Sequence, residues 1–190
     1  MKAMTTARTR IAAAGVLTCT ALLTACGSMA PTTMRTFSQA DLPQPVQVPA
    51  GNRVAMETVG KGDINYECRD KANMPGQTEW FFVGPVATLS DRMGKQVGKY
   101  YGPPATWESM DGSKVTATQV AVAPAGTGNL PFQLVKANPA MGAGAMTGVT
   151  YIQRVALTGG VPPAMACTPA NKGQKATVPY QADYIFWKAA

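Results

Sequence analysis

Past residue 50 the chain reads as short runs with apolar and polar positions alternating at a period of two, broken by turn residues, and no helical period is sustained. Extended segments are predicted over residues 53–59, 64–69, 79–83, 86–89, 96–101, 114–123, 131–136, 147–157 and 177–187. In the segment 114–123, Val115, Ala117, Gln119 and Ala121 take turns with Thr116, Thr118, Val120 and Val122. In the segment 147–157, Val149, Tyr151, Gln153 and Val155 alternate with Thr150, Ile152, Arg154 and Ala156. Side chains so spaced point to opposite faces of a sheet. Residues 91–95 and the triplet Asp111-Gly112-Ser113 supply turn chemistry between runs. Trp80-Phe81-Phe82 and Tyr184-Ile185-Phe186-Trp187 are predicted as core. With no βαβ rhythm and no internal repeat, this pattern predicts an all-β single domain, a sandwich or a barrel-like fold, over residues 51–190.

The first 25 residues follow a different rule. Lys2, Arg8 and Arg10 precede an uncharged apolar run over residues 11–23, the layout of a secretory signal peptide. A membrane-spanning helix needs about 20 apolar residues, and this run is shorter. It ends in Leu23-Thr24-Ala25-Cys26-Gly27, which resembles the bacterial lipobox. There the Cys thiol is diacylated, the chain is cut before it, and the new amine is acylated in turn; two or more acyl chains anchor a protein stably. The expected partner of Cys26 is therefore membrane lipid, and the expected place is the bacterial cell envelope. Gly27 is not Asp, which by resemblance to sorting rules favours an outer-membrane lipoprotein facing the periplasm or surface. Cleavage after Ser28-Met29-Ala30 is the alternative and would leave a soluble periplasmic or secreted protein. Cys19 lacks a small residue before it and reads as signal-peptide filler. Residues 26–50, rich in Ser, Thr, Gln and Pro and without periodicity, are read as a lipidated N-terminus and flexible tether.

Composition narrows the chemistry. Gly (19) and Pro (15) suit a turn-rich fold. Removing Lys2, Arg8 and Arg10 from 17 basic residues leaves 14 against 10 acidic, a net charge of +4, scattered without a dense basic face, so nucleic acid is not an expected partner. There is no histidine. That removes Ser-His-Asp and Cys-His nucleophile systems and most zinc and copper sites. No Gly-rich loop joins a strand to a helix, and no cofactor or metal is expected. The remaining cysteines, Cys68 and Cys167, read as a disulfide in an oxidising compartment, closing a loop of about 100 residues at a gain of roughly 4 to 5 kcal/mol; two free thiols, one reactive, are the rival reading.

The richest candidate binding surface is the segment 100–108, where Tyr100, Tyr101, Trp107 and Glu108 flank a Gly- and Pro-shaped backbone suited to stacking on a sugar or another flat ligand. The competing reading puts Trp107 and one Tyr in the core. Arg154 is read as a buried ion-pair partner for Glu67 or Glu108, or else as an exposed strand residue. Three functions follow: a non-enzymatic envelope module binding a ligand, glycan or envelope protein around residues 100–111; a structural or stress-related envelope protein without such a site; or a hydrolase using two carboxylates about 5 to 10 Å apart in a cleft.

Taken in order, Tyr66-Glu67-Cys68, Trp80, Ala87-Thr88-Leu89, Thr106-Trp107-Glu108, Asp111-Gly112-Ser113-Lys114-Val115, Leu130-Pro131-Phe132, Thr150-Tyr151-Ile152-Gln153-Arg154-Val155, Gly159-Gly160, Cys167, Val178-Pro179-Tyr180 and Ala182-Asp183-Tyr184 resemble the domain-of-unknown-function family 3455 of secreted bacterial and fungal proteins. The resemblance spans roughly residues 53–187, with Thr150 to Val155 its most specific piece. It implies export, one β-rich domain and a Cys68–Cys167 pairing, and it implies no activity. Members often carry a His before the Thr-Trp-Glu segment, where this chain has Tyr100.

Overall fold

The structure, a computed structural model, describes residues 37–190; the segment expected to be a signal peptide and Cys26 lie outside the described residues. Eight strands follow one another: β1 (Asn52–Asp70), β2 (Thr78–Ser90), β3 (Gln96–Tyr101), β4 (Thr106–Ser109), β5 (Lys114–Ala123), β6 (Phe132–Ala137), β7 (Val149–Gly159) and β8 (Lys175–Ala189). Each pairs antiparallel with its neighbours in sequence, and β8 returns to β1, which closes an up-and-down barrel. Closure gives every strand two neighbours, and sheet edges are left free along the stretches of β2 and β5 beyond the ends of β3 and β4. Cys68 and Cys167 form a disulfide with their Cα atoms 5.4 Å apart.

Two pairs of predicted segments are single long strands. Residues 53–59 and 64–69 join in β1 across Gly60-Lys61-Gly62 because the barrel interior needs glycine there. A Cβ on Gly60 would lie 2.5 Å from the Tyr184 ring, so the missing side chain makes room for that ring. Residues 79–83 and 86–89 join in β2 through a bulge opposite Asn65 and Tyr66. Gly84, at φ 154°, brings the backbone against the Gly102 carbonyl in the β3–β4 turn.

Alternation then sorts the side chains. Inward-facing Ile64, Tyr66, Leu89, Tyr100, Trp107, Val115, Ile152, Tyr184 and Phe186 fill the barrel. Tyr100 stacks on Trp107 at 4.6 Å and lies 4.9 Å from Tyr184. Outward-facing Leu134, Val155, Ile185 and Trp187 form a second cluster with Val46 and Val48, joined at its edge by Phe37 and Leu42. Both faces of Tyr184-Ile185-Phe186-Trp187 are thus buried, as expected of core.

Val46 and Val48 belong to a stretch read as tether. From Phe37 onward that stretch is instead a folded strap, with a short 3-10 turn at Gln44–Val46. The buried Gln153 donates to the Val46 carbonyl (2.6 Å) and to Gln39 (3.1 Å), and accepts from the Trp187 indole (2.9 Å). Gln39 in turn donates to the Val48 carbonyl and accepts from its N–H. Burying the two valines contributes about 3 to 5 kcal/mol before the entropy of ordering the strap.

Trp80-Phe81-Phe82 departs from expectation in the other direction. Phe81 and Phe82 are each 46 % exposed. Pairing of β2 with β3 runs from Val86↔Tyr101 to Ser90↔Gln96, so residues 78–85 have β1 alone as a neighbouring strand.

Candidate functional site at the open end of the barrel

The two ends of the barrel are built differently. At one, the β4–β5 turn locks onto the segment between β6 and β7. Asp111 accepts from the Ser113 hydroxyl (2.6 Å), the Ser113 N–H (2.9 Å) and the Ala145 N–H (2.7 Å). The Ser113 hydroxyl accepts from the Met146 N–H, and the Met146 side chain closes the interior at 1 % exposure. Those hydrogen bonds, Ser113's first and Ala145's next, hold the Asp111 carboxyl down at about 2. The Asp111-Gly112-Ser113 turn is thus also a closing device.

At the other end, residues 160–167 cross the barrel on the β1–β2 side. The Tyr66 hydroxyl donates to the Gly160 carbonyl (2.6 Å), the Trp80 indole to the Met165 carbonyl (2.7 Å) and the Thr78 hydroxyl to the Cys167 carbonyl (2.8 Å). The disulfide pins the same segment. Farther round, the wall is notched. Pairing between β4 and β5 stops at Thr106↔Thr116, as pairing between β2 and β3 stops at Val86↔Tyr101. Above the β3–β4 turn, β2 and β5 therefore each lack one partner strand.

Register sets what faces this notch from inside. Phe82 is the direct partner of inward-facing Tyr66. Val122, Gln133 and Arg154 are successive cross-strand partners, two positions beyond the inward-facing Val135 and Ile152 on β6 and β7. Phe82 and Val122 are 46 % and 45 % exposed, Gln133 and Arg154 half-buried. Gln133 donates to Gln119 at 2.7 Å. Arg154 donates to the Pro131 carbonyl through Nε (3.3 Å) and Nη2 (3.0 Å). Burial pushes the phenols of Tyr66, Tyr100, Tyr180 and Tyr184 up, and the Arg154 charge pulls each partly back, which places the guanidinium within electrostatic reach of all four. The Tyr180 and Tyr184 hydroxyls lie 3.2 Å apart. The buried Trp107 indole N–H has no hydrogen-bond partner among the described residues.

The residues expected to share one binding surface are divided by the wall. Tyr100 and Trp107 are inside, 5 % and 1 % exposed. Tyr101 and Glu108 stand on the outside, because adjacent strand positions face opposite ways. There they satisfy one another: Tyr101 donates to Glu108 (2.6 Å), Lys99 pairs with Glu108 (3.2 Å), and the Lys99 ammonium sits 5.3 Å from the Tyr101 ring centre. Arg154 faces the barrel interior, as Tyr100 does, and pairs with neither Glu67, which takes Arg69 (2.7 Å), nor Glu108. Phe82, Val122 and Gln133 were not foreseen. Their signal in the sequence is a polar and charged pair, Gln133 and Arg154, on an otherwise apolar inward register.

Several carboxylates are engaged elsewhere. Glu57 and Asp183 share Arg92 (2.9 and 2.6 Å), Glu57 also accepts the Phe37 N–H, and Asp70 pairs with Lys172. Among the described residues no group of three or more His, Cys, Asp or Glu side chains comes together to hold a metal. A groove of about 600 Å³ lies on the outer wall beside Gly62, Thr158, Gly159 and Pro179, with Lys61 and Asp63 on its lining. It brings together opposite charges and backbone rather than a set of convergent donors.

A family model described as "Protein of unknown function (DUF3455)" matches residues 49–188, which contain all of β1 to β7 and nearly all of β8. No curated protein and no solved structure matches the chain.

Proposed function

The chain belongs to this family of proteins of unknown function, and on that premise we propose that its barrel is a non-catalytic binding module of the bacterial envelope, anchored by lipid at Cys26 and taking a small ligand at the notched mouth. The observation that carries the reading is the contrast of exposed Phe82 and Val122 with a half-buried cation, Arg154, on one inner face. Apolar surface with a few convergent polar groups is what a ligand site needs. Barrels of eight strands have interiors that side chains fill or that hold one small molecule. Here aromatic rings fill the middle, so room for a ligand lies at the rim.

The strap supports the anchoring half. It begins at Phe37, whose N–H is held by Glu57 beside Arg92 of the β2–β3 turn, toward the closed end. Ten residues separate Phe37 from Cys26, a reach of at most about 40 Å. A lipid on Cys26 would then hold the domain near the membrane through the strap.

Mass spectrometry of the full chain expressed in bacteria and purified from membranes tests both halves. The expected result is a triacylated or diacylated N-terminus at Cys26, with a small molecule retained in the native protein and lost in Phe82→Asp. A free N-terminus beyond Ala30 would defeat the anchor; native spectra without a retained or exchangeable molecule would defeat the binding role.

A further inference from the structure

The mouth carries a cation without a counter-ion. No carboxylate pairs with Arg154 among the described residues, and residues 1–36 contain no Asp or Glu. Its hydrogen-bond partner is a neutral dipole, the Pro131 carbonyl, and the tyrosines it acts on are uncharged phenols; the Asp63 carboxylate, which also acts on Tyr180, makes no ion pair with it. A charge drawn out of water without an opposite partner is costly. The geometry also leaves donors over. Guanidinium has five N–H groups, and Nε and one Nη2 hydrogen are used on Pro131. The terminal Nη1–Nη2 edge keeps a parallel pair of donors, the fork that a carboxylate accepts bidentately. Gln133 is the direct cross-strand partner of Arg154, and Phe82 faces the same interior from β2.

We propose that the mouth selects small organic carboxylates: the carboxylate seats on the free edge of Arg154, and an apolar or aromatic body lies against Phe82 and Val122. This rests on the reading of the mouth as a binding site and adds the class of ligand. A neutral sugar would leave the cation uncompensated, and an inorganic anion would leave the exposed Phe82 and Val122 uncovered.

The test pairs phenylacetate with its neutral isostere phenylacetamide, titrated into full-length protein in detergent and into residues 27–190, and followed by tryptophan fluorescence and by the Arg154 side-chain N–H resonance. Phenylacetate is expected to bind at least tenfold more tightly than the amide and to shift the Arg154 resonance. In Arg154→Met the two ligands should bind within twofold of each other. Arg154→Lys, which keeps the charge and loses the fork, should fall between. Circular dichroism and thermal melts check that each variant folds, and the Lys variant keeps the comparison available if the Met variant does not. Equal binding of acid and amide to the native protein would overturn the carboxylate preference and leave the mouth standing as a binding site. Binding of neither would overturn both.

Discussion

The two ends of this barrel solve the same problem in opposite ways. The closed end satisfies every group it gathers: Asp111 accepts three hydrogen bonds, Ser113 passes one on, and Met146 fills the remaining space. The open end is pinned just as firmly on the β1–β2 side, by a disulfide and three hydrogen bonds, yet beside that staple it exposes Phe82 and Val122 and leaves Arg154 without an anion. One end is complete as a structure. The other is rigid and incomplete, the combination that a preorganised ligand site requires.

That contrast can be broken by perturbing each end in turn. The largest effect is expected for Cys68→Ser with Cys167→Ser. Opening a loop with a sequence separation of 99 should cost about 4 to 5 kcal/mol, read as a lower urea midpoint, and should loosen residues 160–167 in hydrogen exchange. Next, Met146→Ala should cost about 3 kcal/mol by leaving a cavity at the closed end, measured by denaturant melts, with ligand binding at the mouth unchanged. Gln153→Ala lies on the wall between the ends. It leaves the Val46 carbonyl and the Trp187 indole buried without their partner, at a cost of about 2 kcal/mol, and should release the strap to proteolysis before the barrel melts.

A pH-graded effect sharpens the closed end further. The Asp111 carboxyl is held at about 2, below its ordinary value of 3.8. A depressed carboxylate contributes stability that is present above about pH 4 and lost as pH falls toward 2. Asp111→Asn should therefore be less stable than the native chain at neutral pH and converge with it near pH 2, in melts taken across that range. The smallest structural effect belongs to the mouth: Phe82→Ser should change stability by less than about 0.5 kcal/mol while weakening ligand binding, a separation of stability from function that no closed-end variant should show.

Much of the fold was legible because period-two alternation is a property of the strand itself. Residues 96–101 form β3 and 114–123 form β5 as the pattern predicts, and the Tyr184 to Trp187 run is core on both faces. What stayed hidden depends on neighbours distant in sequence. Gly60 and Gly62 look like breakers until the Tyr184 ring is placed against Gly60. Phe37, Leu42, Val46 and Val48 have no periodicity of their own, because a strap takes its spacing from the wall it covers. Phe81 and Phe82 read as core because the sequence does not reveal that β3 ends before reaching them. The candidate surface failed for a local reason that alternation does expose: Tyr100 and Tyr101 are adjacent in a strand and cannot share a face. The partner of Arg154 is a backbone carbonyl at the barrel mouth rather than Glu67 or Glu108, a contact between distant strands that the sequence does not display.

The difference between the ends is tested most directly by mapping amide and side-chain chemical shifts of the isotope-labelled protein during titration with phenylacetate. Saturable changes centred on Phe82, Val122, Gln133 and Arg154, with Asp111, Ser113 and Met146 silent, are the predicted result. Changes centred on the outer Lys99–Tyr101–Glu108 cluster or on the closed end, or none that saturate, would contradict it.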